Sequence, residues 1–181
     1  VPGNESDAKF LSHYVVKRLP AEALLDAFAQ VTGVPTPFPG YPAGFRAGQL
    51  PDSQVANGFL SSFGRPERIA TCSCERSSEP SLAQALHLSN GETLNAKLRD
   101  ERGAVAAAAK SDRSDASLVE DLFLAALSRR PTAAEREKLI ATLAGATLGI
   151  TDAKEKAEAR RGAIEDLFWA VLTSREFLFN H

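Results

Sequence analysis

Apolar residues recur at helical spacing along most of this chain. Leu24, Leu25, Phe28 and Val31 fall on one face of a helix. Pro20 suits a first helical turn, Glu22 favours the positive helix end, Gly33 can close the helix in the left-handed region, and Pro35 blocks continuation. The pattern predicts a helix over about 20–32. Val55, Phe59, Leu60 and Phe63 predict a short helix capped by Asp52 or Ser53 and stopped by Gly64 and Pro66. Ser78 followed by Pro80 predicts another helix start, with Leu82, Ala85, Leu86 and Leu88 at helical spacing and an end at Asn90-Gly91. Leu94 and Leu98 point inward from a helix running from Glu92 to about Arg102.

The alanine run at 104–109 has high helix propensity but little to bury, and the polar stretch 111–114 reads as a connection. Leu118, Leu122, Ala125 and Ala126 line the next helix, which stops before Arg129-Arg130-Pro131. Thr132 and Glu135 form a capping box for a helix carrying Leu139, Ile140 and Leu143, closed by Gly145 and Gly149. Ile164, Leu167, Phe168, Val171 and Leu172 fit one long helix from about Asp152 to Phe177. Sustained period-two alternation is missing, and only 69–72 is compatible with a short extended segment. The expected fold is all-α, an irregular multi-helix bundle with a long Pro/Gly-rich ordered loop.

That loop spans 35–51. It holds Pro35, Pro37, Pro39, Pro42 and Pro51, half of the 10 prolines, with Gly40, Gly44 and Gly48 among them. No regular element tolerates this mixture. Phe38, Tyr41 and Phe45 are interleaved, followed by Arg46. Two readings stand: an ordered loop whose aromatics pack on the core, or a binding loop for a partner or a ring-shaped ligand.

Charge narrows the function classes. The chain has 21 Lys plus Arg against 23 Asp plus Glu, a net charge of −2, which argues against a nucleic-acid footprint. Residues 1–90 carry 7 basic and 8 acidic groups and 91–181 carry 14 and 15, so the second half is far more charged at the same balance. Dense mixed charge suits exposed helix faces. A single helical domain over 1–181 is expected, with a subdivision near 90–111 between a loop-rich part, 1–90, and a helical part, 111–181. No apolar stretch is long enough to span a bilayer. The chain contains 0 Met and starts Val1-Pro2-Gly3-Asn4 without a charged, apolar leader, which fits a piece of a longer polypeptide.

The candidate chemistry centres on Cys72 and Cys74. In an extended segment their side chains share a face. They read as free structural thiols, as a strained disulfide, or as part of a metal or redox site with His87. With His13 and His181 as the other histidines, no familiar zinc spacing appears, nor a c-type haem attachment signal. Around the thiols, Glu75, Arg76, Ser77, Ser78 and Glu79 form a polar cluster before a helix start, either a capping network or a cradle for an anion. His87 among leucines reads as a partly buried, hydrogen-bonded histidine or as a base. The acid pairs Glu120-Asp121 and Glu165-Asp166 read as solvated helix faces. The apolar end 176–179 is expected to dock.

Many linked blocks carry a family resemblance. They include Lys17-Arg18-Leu19-Pro20-Ala21-Glu22, Gln30-Val31-Thr32-Gly33-Val34-Pro35, Phe63-Gly64-Arg65-Pro66 and Cys72-Ser73-Cys74-Glu75-Arg76-Ser77. Gln84-Ala85-Leu86-His87-Leu88, Leu127-Ser128-Arg129-Arg130-Pro131-Thr132 and Asp166-Leu167-Phe168-Trp169 continue the series. Over nearly its whole length the chain resembles the planctomycete domain of unknown function fifteen-fifty-three, also called PSD1. The 43–48 segment matches the family's Gly-Thr-Arg-Ala segment only loosely. The resemblance implies the C-terminal part of a larger exported protein, periplasmic or extracellular, whose partners are other domains of the same polypeptide. A c-type cytochrome domain is often among them, so haem belongs to a neighbouring domain and no cofactor is expected in this chain. The resemblance implies no reaction and no substrate; a small-molecule or glycan ligand is left unassigned. The expected function is a helical interaction or structural domain. The alternatives are a redox or metal-binding module around the Cys-x-Cys-Glu-Arg block, and a polysaccharide hydrolase.

Overall fold

The computed structural model describes residues 16–51, 55–65 and 81–180, together with Gly3. Its architecture is all-α. Helix α1 (Ala21–Thr32) forms where the periodicity places it, and Leu24, Leu25 and Phe28 are fully buried along its inner face. Gly33 ends it at φ 68°, a left-handed conformation that favours glycine. The Pro/Gly-rich stretch then folds back over α1 and makes one 3-10 turn, Ala47–Gln49. Helix α2 (Gly58–Ser62) follows; Asn57 Oδ1 caps it by accepting from the Leu60 amide at 3.0 Å. The helix therefore starts later than expected, and Val55 precedes it. The caps expected at Asp52 and Ser53 lie outside the described residues, as does 69–72.

Helix α3 (Leu82–Asn90) is capped by Ser81, whose hydroxyl accepts from the Gln84 amide at 3.2 Å. Its orientation reverses the expected one. Leu82 is 76% and Leu86 55% exposed, while Gln84 is buried. Gln84 turns inward because its amide donates to the Ser62 carbonyl at 3.1 Å and its oxygen accepts from Arg18. Helix α4 (Glu92–Arg99) buries Leu94 and Leu98 as expected, but ends before Arg102.

Helices α5 (Ala104–Lys110), α6 (Asp115–Leu127), α7 (Ala133–Ala146) and α8 (Ala153–Leu172) build the rest. Helix α8 is the spine: α5, α7, α4 and α6 all lean on it. Contrary to the expectation that the alanine run buries little, α5 makes the most extensive helix–helix contact among the described residues, against α8. Small side chains bring two helices close enough for Val105 and Ala106 to be enclosed. Gly145 is the penultimate residue of α7, where its carbonyl accepts from the Leu148 amide at 3.1 Å, and Gly149 takes the left-handed turn that follows, at φ 78°.

The expected last helix is two. Helix α8 stops at Leu172, and Ser174 caps α9 (Arg175–Leu178) by accepting from the Phe177 amide at 3.2 Å. The chain then returns to pair antiparallel with the segment that precedes α1: β1 (Lys17–Arg18) lies against β2 (Phe179–Asn180), with Arg18 opposite Phe179. Phe177 and Leu178 are buried, so the apolar end docks as expected. Phe28 joins α1 to α2 and α9. Its ring stacks on Phe177 at 5.6 Å and meets Phe59 edge-on at 5.8 Å.

One ion-pair knot fixes α6, α7 and α9. Ser128 adopts a left-handed φ of 55° and turns Arg129 back over the Phe123 ring, 5.2 Å away. The guanidinium donates to Glu176 at 2.5 and 2.7 Å and to Glu135 at 2.8 and 2.9 Å. Donation from Arg129, and then from the Thr132 amide at 2.7 Å, holds the Glu135 carboxyl at about 2. No helix among the described residues is long and apolar enough to cross a membrane.

Candidate functional site

The polar block Cys72, Cys74, Glu75, Arg76, Ser77, Ser78 and Glu79 lies outside the described residues, as do His13 and His181. His87 is half-buried on α3. Its Nε2 lies 3.0 Å from the Thr93 hydroxyl, and its ring meets Phe59 and Phe63 edge-on at 5.4 and 5.9 Å. Phe59 and Phe63 stack on each other at 4.1 Å. Next to them the Arg18 guanidinium lies 5.2 Å over Phe63 and donates to the Phe63 carbonyl at 2.9 Å. Burial lowers the Arg18 pKa from its ordinary value. This arrangement ties α2, α3 and β1 together. Among the described residues no three His, Cys, Asp or Glu side chains converge as a metal-ligating set.

The Pro/Gly-rich loop separates its aromatic residues by role. Phe38 is buried in the core. Tyr41 and Phe45 are half-buried and stack on each other, ring centroids 4.7 Å apart. Asp26, on α1, fastens the loop beyond them. Its two oxygens accept from the Ala47 and Gly48 amides at 2.7 and 3.0 Å, and Arg46 Nε lies 3.5 Å away. A side chain at position 48 would bring a Cβ within 3.3 Å of the Asp26 carboxylate, which is why glycine suits this approach.

Arg46 itself is 66% exposed and stands between two depressions. One, about 350 Å3, lies between α1 and the loop and is lined by Gln30, Thr36 and Phe45 among others. The other, about 390 Å3, includes Glu22 and Arg65, an ion pair at 3.8 Å. Beneath the loop, Lys97 of α4 is 5% exposed and donates to the Val34 carbonyl at 2.6 Å. Burial pushes its ammonium down to about 8, against the opposing pull of Asp100 and Asp26.

A third site was missed by sequence reading. Helices α5 and α6 both lean on α1 and α8, and between them opens a cleft of about 410 Å3. Ala104, Ala107 and Ala108 form one wall and Leu118, Leu122 and Ala125 the other, over a floor that includes Val31 and Phe168. At the rim Arg113 and Asp121 form an ion pair at 2.8 Å. The signal in the sequence was the spacing of Ala104, Ala107 and Ala108, which share one helix face and leave room beside it.

A family model described as PSD1, protein of unknown function (DUF1553), matches residues 3–143. No curated protein matches the chain, and no solved structure matches it.

Proposed function

Because this chain belongs to the PSD1 family of proteins of unknown function, we propose that it is a helical interaction domain of a larger exported polypeptide. It docks against another domain of that polypeptide through the cleft between α5 and α6. The observation that supports this reading is the character of the cleft: about 410 Å3, walled by alanine methyls and leucines, and open on one side. Such walls offer an incoming ligand few hydrogen bonds, so the gain on binding is burial of apolar area, about 25 cal/mol per Å2. The rim charges, Arg113 and Asp121, already satisfy each other and select neither an anion nor a cation. An apolar side chain presented by a neighbouring domain suits both features. The resemblance to exported planctomycete proteins supports a periplasmic or extracellular location, which fractionation of cells carrying the natural gene tests.

The docking test uses the natural polypeptide at full length. A photo-crosslinking phenylalanine replaces the exposed Ala107 at the cleft or the 84% exposed Leu148 away from it. The expected result is a crosslink from position 107, and none from 148, to an apolar segment outside this domain. Crosslinks from 107 confined to residues 1–181 sink the reading.

A further inference from the structure

The depression between α1 and the Pro/Gly-rich loop carries groups that docking through the α5/α6 cleft does not use. Phe45 forms part of its wall, stacked on Tyr41. Gln30, exposed on α1, and the outward-reaching Arg46 stand around the same space. Thr36 lines it too, and its hydroxyl is enclosed without a hydrogen-bond partner among the described residues. An enclosed hydroxyl left unpaired is unusual in a folded protein and marks a place where a partner group fits.

The groups sort by hydrogen-bonding capacity. Arg46 only donates; the Thr36 hydroxyl and the Gln30 amide both donate and accept. Asp26 only accepts, and its oxygens already take two backbone amides. An anionic ligand calls for donors alone, and a cationic one for acceptors alone. A hydroxyl gives and takes, so a row of hydroxyls matches this mixed edge. The aromatic wall calls for a flat apolar face on the same ligand. A pyranose ring has both, with C–H groups on its face and hydroxyls around its edge. The volume, about 350 Å3, falls within the range of small-ligand sites, roughly 300–1,000 Å3.

We propose that this depression is a binding site for a neutral saccharide, with the C–H face of one ring on Phe45 and its hydroxyls directed to Thr36, Gln30 and Arg46. The test is titration of the chain with short neutral oligosaccharides built on glucose, mannose, galactose or N-acetylglucosamine, at millimolar concentration and read by amide NMR shifts. Saturable shifts at Gly33, Val34 and Thr36 and at 44–46 are expected with at least one of them. Phe45→Leu keeps an apolar side chain but removes the ring, and weakens that binding about tenfold. Thr36→Val exchanges the unpaired hydroxyl for a methyl of the same shape. It weakens binding about fivefold while leaving the melting temperature unchanged or raised. If Phe45→Leu does not fold, Thr36→Val alone decides. The proposal is overturned by the absence of saturable shifts with every sugar, by binding that the deciding substitutions leave unchanged, or by shifts that map to the α5/α6 cleft instead.

Discussion

The C-terminal helices and the α1–loop region are held together by different kinds of tie. In α6, α7 and α8 the helix ends are closed by neighbours in sequence: Ser114 caps α6, Thr132 and Glu135 box α7, and Asp152 caps α8. Around α1 the ties reach far along the chain. Asp26 holds amides 21 and 22 residues away, Lys97 reaches a carbonyl 63 residues away, and Arg18 reaches Gln84 across 66. These local caps set where the helices begin, although Arg129 also reaches Glu176, 47 residues away, and the cleft of about 410 Å3 opens beside α6. Long-range ties pin an irregular segment at a few points and leave hollows between them, and both depressions beside Arg46 lie in that segment. The difference teaches that the C-terminal helices are a locally capped support whose recognition surface is the seam with α5, whereas the pinned loop is a separate, irregular surface free to carry recognition.

The strongest way to break this contrast is to remove the side chain shared by both regions. Phe28 is fully buried and touches Phe59 on one side and Phe177 on the other. Phe28→Ala is expected to cost about 3–5 kcal/mol, a large share of the stability of a domain this size. Urea denaturation checks it. A loss below about 1 kcal/mol would mean that the two regions fold without depending on each other.

Lys97 gives a pH-dependent version of the same test. Its pKa is about 8 in the folded chain against an ordinary 10.5, so between those values the unfolded state binds more protons. Folding stability therefore carries a penalty below pH 8 that is relieved as pH rises towards 10.5. The relief is on the order of 3 kcal/mol. Lys97→Met removes this rise. Chemical denaturation at pH 7 and pH 10 distinguishes them: the parent gains stability relative to the variant, and parallel behaviour contradicts the burial of the ammonium.

Asp26→Ala probes the loop alone. It removes a carboxylate that accepts two backbone amides, worth about 1.5–3 kcal/mol for hydrogen bonds to a charged group. Faster amide exchange is expected at 44–50 and unchanged exchange in α7 and α8. An effect spread evenly over the molecule would erase the distinction between support and pinned surface.

The same distinction explains what could be read in advance. The Thr132–Glu135 box is legible because both partners sit within one helical turn. The closing of α1 is legible because Gly33 and Pro35 follow directly on its last turn. The break between α8 and α9 was hidden, since Phe177 and Leu178 continue to be buried on either reading and only the Ser174 cap marks the interruption. The facing of α3 was hidden too. Periodicity groups Leu82 with Leu86, but which side turns inward is decided by Arg18 and Ser62, far away in sequence. Lys97 at an inward position and the alanine wall of α5 run against the ordinary rules of burial and size, and only the neighbouring elements make sense of them. Of the candidate site, the aromatic loop residues were legible as a group, while the division between the buried Phe38 and the half-exposed Tyr41 and Phe45 depends on how the loop lies over α1.

The smallest expected effect belongs to the locally tied region. Thr132→Ala removes the α7 cap and is expected to cost about 1 kcal/mol, with α1 and its loop unaffected in amide exchange. Acid sharpens this prediction. Glu135 titrates at about 2 instead of its ordinary 4.5, chiefly because Arg129 donates to it and then because the Thr132 amide does. Its contribution is fully present above pH 4.5 and is lost as pH falls through about 2. The carboxylate is partly solvent-exposed, so salt screens the pairing and the contribution is modest. Because Thr132 Oγ1 also donates to Glu135, at 2.9 Å, Thr132→Ala should raise the Glu135 pKa and move the acid loss to higher pH. Titration of the Glu135 carboxyl by carbon-detected NMR in both proteins checks this. An unchanged titration would leave the depression to Arg129 and the Thr132 amide, and would separate the cap hydroxyl from the ion-pair knot.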